Sequence, residues 1–272
     1  MKCGRYELHF NKTLIMGILN ATPDSFSDGG RYNDVEKAVQ HAIQMIGDGA
    51  DIIDIGGEST RPGHDPVSAE EEIARVVPSI EAVAAKASVP ISIDTYKAET
   101  AKRAVEAGAS IINDIWGAKK DPEIARVAAD LEVPIILMHN RENRDYQSFI
   151  RDVLNDMYES ISIAKKAGVA DDQIILDPGI GFAKDYKENI EMMANLDKLV
   201  GLGYPVLLAT SRKRMIGTAL DLPVEERMEG TGATVCFGIQ QGCHIMRVHD
   251  VKEISRMAAM MDVLLGKGNV DG

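Results

Sequence analysis

The chain has little cysteine, little positive charge and no long hydrophobic run. Its three cysteines, Cys3, Cys236 and Cys243, are odd in number and show no CxxC spacing. That excludes a disulfide framework and a zinc knuckle. Thirty Lys plus Arg stand against 42 Asp plus Glu, a net charge of −12. A general nucleic-acid or membrane-surface binder needs a basic face, so neither class fits. No apolar run reaches the roughly 18 residues of a membrane span. The opening Met1-Lys2-Cys3-Gly4-Arg5 makes no signal-peptide core, so the expectation is a soluble, cytoplasmic protein. Walker loop, GxSxG elbow and HExxH are all missing, which removes the commonest NTPase, hydrolase and metalloprotease readings.

What remains is an ordinary globular composition, 45% hydrophobic and 26% charged over 272 residues. A chain this long buries roughly three quarters of its unfolded surface and needs no staple. Apolar runs alternate with amphipathic stretches from end to end. The strand pattern fits Thr13–Leu19, Asp51–Ile55, Pro90–Ile93, Ser110–Ile115, Val133–Met138, Gln173–Leu176, Pro205–Ala209 and His244–Val248. Between them the 3.6-residue period recurs, as in Ile73, Val76, Val77, Ile80, Val83 and Ala84. Ser68 and Glu71 predict a capping box at the start of that helix. Gly49-Ala50-Asp51-Ile52-Ile53-Asp54 is echoed by Gly108-Ala109-Ser110-Ile111-Ile112-Asn113, each glycine standing where a helix should stop. Short, nearly all-apolar strands separated by helices mean a parallel sheet covered on both faces. Eight such units without a Pro/Gly/Ser-rich linker predict one domain over residues 1–272, a closed (β/α)8 TIM barrel, with an open doubly wound sheet as the competing architecture.

Nearly every strand runs into a polar residue: Asn20, Glu58-Ser59-Thr60, Asp94, Asn113-Asp114, His139, Asp177, Ser211-Arg212-Lys213, then Arg247 and His249. In a barrel these ends share one face, where active sites are built. Turn and cap roles account for some Asp and Asn residues, and Asp121 and Asp145 are read as such caps. Asp54, set inside Ile52-Ile53-Asp54-Ile55, reads as a structural partner within the barrel. Arg212-Lys213-Arg214 and Arg247-x-His249 follow strands seven and eight, where barrels of this kind commonly bind phosphate. Cations at a helix start oppose its dipole, which favours a bound anion over a solvated helix start. Residues 20–30 and 56–63 form long, hydroxyl- and glycine-rich loops, the composition of mobile loops that close over a site. Asp177-Pro178-Gly179-Ile180-Gly181-Phe182 mimics part of a dinucleotide fingerprint, but Lys184 stands where the third glycine belongs.

These residues carry a resemblance. NATPDSFSDGG (20–30), GGESTRPG (56–63), SIDT (92–95), IINDI (111–115), DPGIGF (177–182), SRK (211–213) and RVHD (247–250) resemble the dihydropteroate synthase family in content, order and spacing. The resemblance implies a (β/α)8 barrel, homodimeric, that joins a dihydropterin diphosphate to p-aminobenzoate and releases diphosphate. It implies that Asp94, Asn113 and Asp177 hold the pterin, with Lys213 donating to its carbonyl and ring nitrogen. It assigns Thr60, Arg247 and His249 to the diphosphate, Asn20 to Mg²⁺, and Arg61, Pro62 and Phe182 to the p-aminobenzoate site. Lys213 and Asp28 are the catalytic candidates, Asp28 as stabiliser of the developing cation. A non-catalytic pterin-binding relative and a pterin-binding methyltransferase barrel are the alternatives. Ala21, Ala183 and Arg214 depart from the family's common Val, Gly and Ser. Arg214 adjoins the implied p-aminobenzoate region, so inhibition by a sulfonamide is expected to be weak and to be restored in Arg214→Ser. Ordinary inhibition of the unmodified enzyme contradicts that expectation.

Overall fold

The computed structural model describes residues 1–21, 30–58 and 66–267. A short antiparallel hairpin, β1 (Lys2–Cys3) and β2 (Tyr6–Glu7), comes first. Eight parallel strands follow: β3 (Leu14–Asn20), β4 (Ile52–Gly56), β5 (Ile91–Asp94), β6 (Ile111–Asp114), β7 (Ile135–Met138), β8 (Ile174–Asp177), β9 (Leu207–Leu208) and β10 (Ile245–Val248). Their order is β8-β7-β6-β5-β4-β3-β10-β9. A parallel bridge between Leu176 and Val206 closes the ring, with the Leu176 N–H donating to the Pro205 carbonyl over 2.9 Å. The expected barrel forms, and the open sheet does not.

Helices α1 (Gly30–Gly47), α2 (Ala69–Ala84), α3 (Ala98–Glu106), α4 (Glu123–Asp130) and α5 (Phe149–Ala167) cover the first strands. They are followed by α6 (Tyr186–Ala194), α7 (Leu196–Val200), α8 (Arg214–Leu220), α9 (Met228–Gln240) and α10 (Val251–Leu264). None of the helices among the described residues is long and apolar enough to cross a membrane. Val76, Ile80 and Val83 of α2 are buried, as their spacing requires. Ser68 Oγ accepts from the Glu71 N–H, but Glu71 turns to Arg75 instead of reaching back, so only half of the expected box exists. A complete box opens α6: Asp185 Oδ1 accepts from Glu188 N at 2.9 Å and Glu188 Oε2 from Asp185 N at 2.7 Å. Asp121 takes the Ala98 and Glu123 N–H groups, as a cap should. The turn expected to depend on Asp145 is tied instead by Asp152 Oδ2, which accepts from Gln147 and Ser148.

The strand boundaries matter for the site. β3, β4, β5 and β8 begin and end one residue later than the apolar runs suggest, because ladder pairing and not hydrophobicity sets their ends. Asp94, for example, is in register with Gly56 and Asn113. Asn20, Asp94 and Asp177 are therefore strand residues and obey the alternation of a strand. β9 shrinks from the expected Pro205–Ala209 to two residues, since Pro205 has no N–H to give and the Val206 carbonyl accepts from both His244 and Ile245.

That alternation divides the molecule. Ile53, Ile55, Ile93, Ile112, Leu137 and Leu176 belong to the core between strands and helices. Leu14, Met16, Ile52, Ile111, Ile136, Ile175, Leu207 and Ile245 form a separate core with Cys3 and Leu8 of the N-terminal segment. Each fully buried isoleucine contributes roughly 2–3 kcal/mol. Two residues beyond Ile52, Ile111, Ile175 and Ile245 come Asp54, Asn113, Asp177 and Arg247. An apolar layer of the interior thus passes directly into a polar one.

Candidate active site at the carboxyl ends of the strands

The polar layer is organised around Arg247 on β10. Its Nε donates to Asp54 Oδ2 and its Nη2 to Asp94 Oδ2, each at 2.6 Å. Asn113 Nδ2 reaches Asp54 Oδ2 at 3.3 Å. The sequence reading of Asp54 as an internal partner agrees with these contacts. Asp54 and Asp94 are nearly sealed from solvent, at 0% and 7% exposure. Burial pushes the Asp94 carboxyl up to about 7, with Arg247 opposing and Asp54 adding to the rise. Asp94 Oδ1 is buried with no hydrogen-bond partner among the described residues. A buried, unpaired carboxylate oxygen is costly unless a ligand supplies the donor. Burial also raises Asp177, against the pull of Lys213. At the end of β6, Asp114 is turned to the chain instead, accepting from Trp116 N at 2.8 Å and Ala118 N at 2.6 Å.

Opposite this cluster stands the segment that follows β8. Asp177 Oδ1 accepts from Gly179 N at 2.7 Å, and Lys213 Nζ donates to the Ile180 carbonyl. The Lys213 ammonium lies 4.9 Å from the centre of the Phe182 ring. Burial lowers Lys213 to about 8, countered by Asp177. Gly179 is required here: at φ +65° a Cβ would stand 2.0 Å from the His139 carbonyl. Ala183 adopts φ +46°, a left-handed conformation that costs a non-glycine residue about 1–2 kcal/mol.

The structure thus brings Asp94, Asn113, Asp177, Lys213, Phe182 and Arg247 to one end of the barrel. Asn20 ends β3 there, exposed. His249 lies just beyond β10, its Nδ1 2.8 Å from Ser211 Oγ, which also accepts its N–H. Arg212 is bound by both carboxylate oxygens of Asp250, and so is not the unsatisfied cation that its place at a helix start suggested. Arg214 is exposed at the first turn of α8, lining an open pocket of about 430 Å³ with Thr218, Asp221 and Arg227. Asp28, Thr60, Arg61 and Pro62, and most of the two long loops, lie outside the described residues. Sequence reasoning named His139 as a strand-end polar residue but missed the set it joins behind the site, with Asp156, Lys184 and Asn189. The one trace of it was Lys184 interrupting a glycine pattern, and nothing in a linear pattern marks a lysine as buried.

Asp54, Asp94 and Asp177 outnumber the cations Arg247 and Lys213 in this layer, which suits a ligand rich in N–H donors. A barrel with such a floor, flanked by a lysine against an aromatic ring, defines an enzyme class that holds a flat polar heterocycle at its strand ends. Residues 16–249 match the model of the family described as pterin binding enzyme. The chain is 65% identical over 259 residues to the dihydropteroate synthase of Bacillus subtilis, covering 95% of this chain and 91% of that one. A crystal structure of dihydropteroate synthase from Clostridium difficile, determined with pteroic acid, superposes with a TM-score of 0.92 at 46% identity, covering 95% and 99% of the two chains. The Xanthomonas albilineans enzyme in complex with 7,8-dihydropteroate gives 0.89 at 38% identity, with 97% of each chain covered. The chain belongs to the pterin-binding enzymes and, among them, to the dihydropteroate synthase family.

Removing Arg247 should leave Asp54 and Asp94 as adjacent, uncompensated buried carboxylates. Arg247→Leu is expected to lose about 3–5 kcal/mol of unfolding free energy at alkaline pH. Part of that loss should return on acidification, because protonation removes the repulsion. Urea unfolding at two pH values reads this, and a loss independent of pH contradicts it.

Proposed function

We propose that the chain joins (7,8-dihydropterin-6-yl)methyl diphosphate to p-aminobenzoate, giving 7,8-dihydropteroate and diphosphate. The observation that carries this reading is the buried floor of Asp94, Asn113 and Asp177 facing Lys213, with one Asp94 oxygen left for a ligand donor. A pterin edge presents amino and ring N–H donors in one plane, which these acceptors match. Lys213, fixed between Ile180 and Phe182, donates to the pterin carbonyl and ring nitrogen. With Nε and Nη2 on Asp54 and Asp94, Arg247 has Nη1 to direct at the diphosphate, together with His249 and Thr60. Arg61, Pro62 and Phe182 wall the p-aminobenzoate site.

The chemistry is a substitution at the pterin methylene. The C–O bond to diphosphate breaks and its electron pair leaves with the phosphate oxygen. The arylamine nitrogen forms the new C–N bond and then loses a proton to solvent. Charge develops on both fragments, so fixed charges aimed at them lower the barrier without a covalent enzyme intermediate. To Asp28 we assign the stabilisation of the developing cation. Among the described residues no group of three or more His, Cys, Asp or Glu side chains could hold a metal ion. Asn20, exposed at the end of β3, offers one amide oxygen, which fits a Mg²⁺ that would draw its other ligands from diphosphate and water. When bound, Mg²⁺ supplies Lewis-acid stabilisation of the leaving diphosphate.

We further assign the protein to the cytoplasm as one barrel domain and to a homodimer. Exposed Phe237 on α9 and Met260, Val263 and Leu264 on α10 supply an apolar face for a second copy.

The test is product formation from the two substrates, with Mg²⁺ and again with EDTA. Both diphosphate and dihydropteroate should appear only with Mg²⁺, and Lys213→Ala should lower kcat/KM at least about 100-fold, or about 2.7 kcal/mol. Pterin binding without either product would make the protein a binding module. Turnover unaffected by EDTA would remove the metal assignment and with it the role of Asn20.

A further inference from the structure

Side chains hold the segment from Gly179 to Lys184 mainly through its carbonyls. Lys213 takes the Ile180 carbonyl, Tyr146 Oη donates to Ala183 O at 2.8 Å, and Asn189 Nδ2 donates to Lys184 O at 3.3 Å. Asn189 Oδ1 also accepts from Gly181 N at 2.6 Å. Gly179 N–H donates to Asp177 Oδ1 at 2.7 Å and Phe182 N–H to Gly179 O at 3.0 Å. Two further contacts come from one buried ammonium: Lys184 Nζ donates to Gly179 O at 3.0 Å and Phe182 O at 3.1 Å. Its third partner is His139 Nδ1, 2.8 Å away. His139 in turn meets Asp156 Oδ2 through Nε2 at 2.9 Å, and Arg141 holds the same carboxylate.

With Lys184 charged, this chain of contacts has one consistent proton arrangement. An ammonium has three donors, and Lys184 has three acceptors. For Nδ1 to accept, His139 must be neutral with its proton on Nε2, donating to Asp156. Burial lowers His139 to about 4, consistent with a neutral ring. Burial would raise Asp156, but hydrogen bonds from His139 and Arg141 overcome it and hold the carboxyl well below its usual range. Lys184 itself, 9% exposed, is lowered by burial to about 7, with Asp177 and then Glu188 and Asp156 favouring its charge and Lys213 opposing it. A buried lysine satisfied on every proton is costly to keep unless its geometry serves something.

We propose that Lys184 is a positioning residue for the p-aminobenzoate site. By clamping the carbonyls on either side of Ile180 and Gly181, it fixes the Ile180 carbonyl that anchors Lys213 and the Phe182 ring beside the Lys213 ammonium. Lys184 touches no substrate; it acts through the segment. This assignment rests on the reading of Phe182 and Lys213 given above, and extends it to the side chains that hold them.

Lys184→Met keeps the aliphatic stem and removes all three donors. In steady-state assays it is expected to raise the KM for p-aminobenzoate about tenfold or more, beyond any change in kcat. A merely structural lysine would lower Tm and the folded fraction while leaving the KM of the folded enzyme unchanged, and that result overturns the proposal. Hydrogen exchange of the unliganded protein gives a second readout that needs no turnover. The Gly181 and Phe182 amides should exchange at least about tenfold faster in the variant, while those of β10 do not change. Unchanged exchange at Gly181 and Phe182 also overturns it. If the unmodified protein makes no dihydropteroate, the reaction assignment fails, and the exchange result still decides whether Lys184 holds the segment. Should Lys184→Met fail to fold, Lys184→Gln, which keeps two N–H donors, is read the same way with a smaller effect.

Discussion

The ion pairs of Arg247 with Asp54 and Asp94 are the constraint on which the upper half of the barrel depends. They join β10, β4 and β5 across the interior, at 2.6 Å on each side. One guanidinium neutralises two carboxylates that would otherwise repel at close range in a poorly solvated space. Without it, neither aspartate could stand so close above a largely apolar layer. With it, the strand alternation turns from isoleucine to acid within one step, and a barrel filled below becomes a binding site above.

Everything else at the strand ends refers to that floor. Asp94 keeps one oxygen for a ligand because the other is taken by Arg247. Asn113 leans on Asp54, and Asp177 holds the first turn of the segment that follows β8. Lys213 is drawn across that segment by the Ile180 carbonyl, facing the carboxylates instead of solvent. Behind it, Lys184, His139, Asp156 and Arg141 form a second polar row with its own proton arrangement. In the proposed reading the front row meets the substrates, and the back row sets the shape the front row presents.

Much of this was legible in the sequence, for identifiable reasons. Eight apolar runs at barrel spacing gave the architecture because parallel strands covered on both faces leave a strong composition signal. Polar residues breaking into those runs marked the site, since no packing argument explains an asparagine in Ile111-Ile112-Asn113-Asp114-Ile115. Strand ends were misplaced by one residue because pairing register is not written in hydrophobicity. Arg212 looked like a free cation because its partner, Asp250, lies 38 positions away. The Lys184 row was invisible for the same reason: Asp156, His139 and Lys184 converge only after α5 packs beside β7 and β8. Long-range pairing of charges has no local signature, whereas periodicity does.

The most direct test of this account is the titration of Asp94 itself. Carbon-13 NMR of aspartate-labelled protein, assigned by difference from Asp94→Asn, should show a carboxyl titrating near 7 in the unliganded enzyme. Saturation with a pterin should hold it ionised and lower that value by at least about one unit. Through linkage, pterin affinity then rises with pH, up to about tenfold per unit across that window. An Asp94 that is already ionised from about pH 5 upward without ligand, or whose titration a pterin leaves unmoved, would contradict the account.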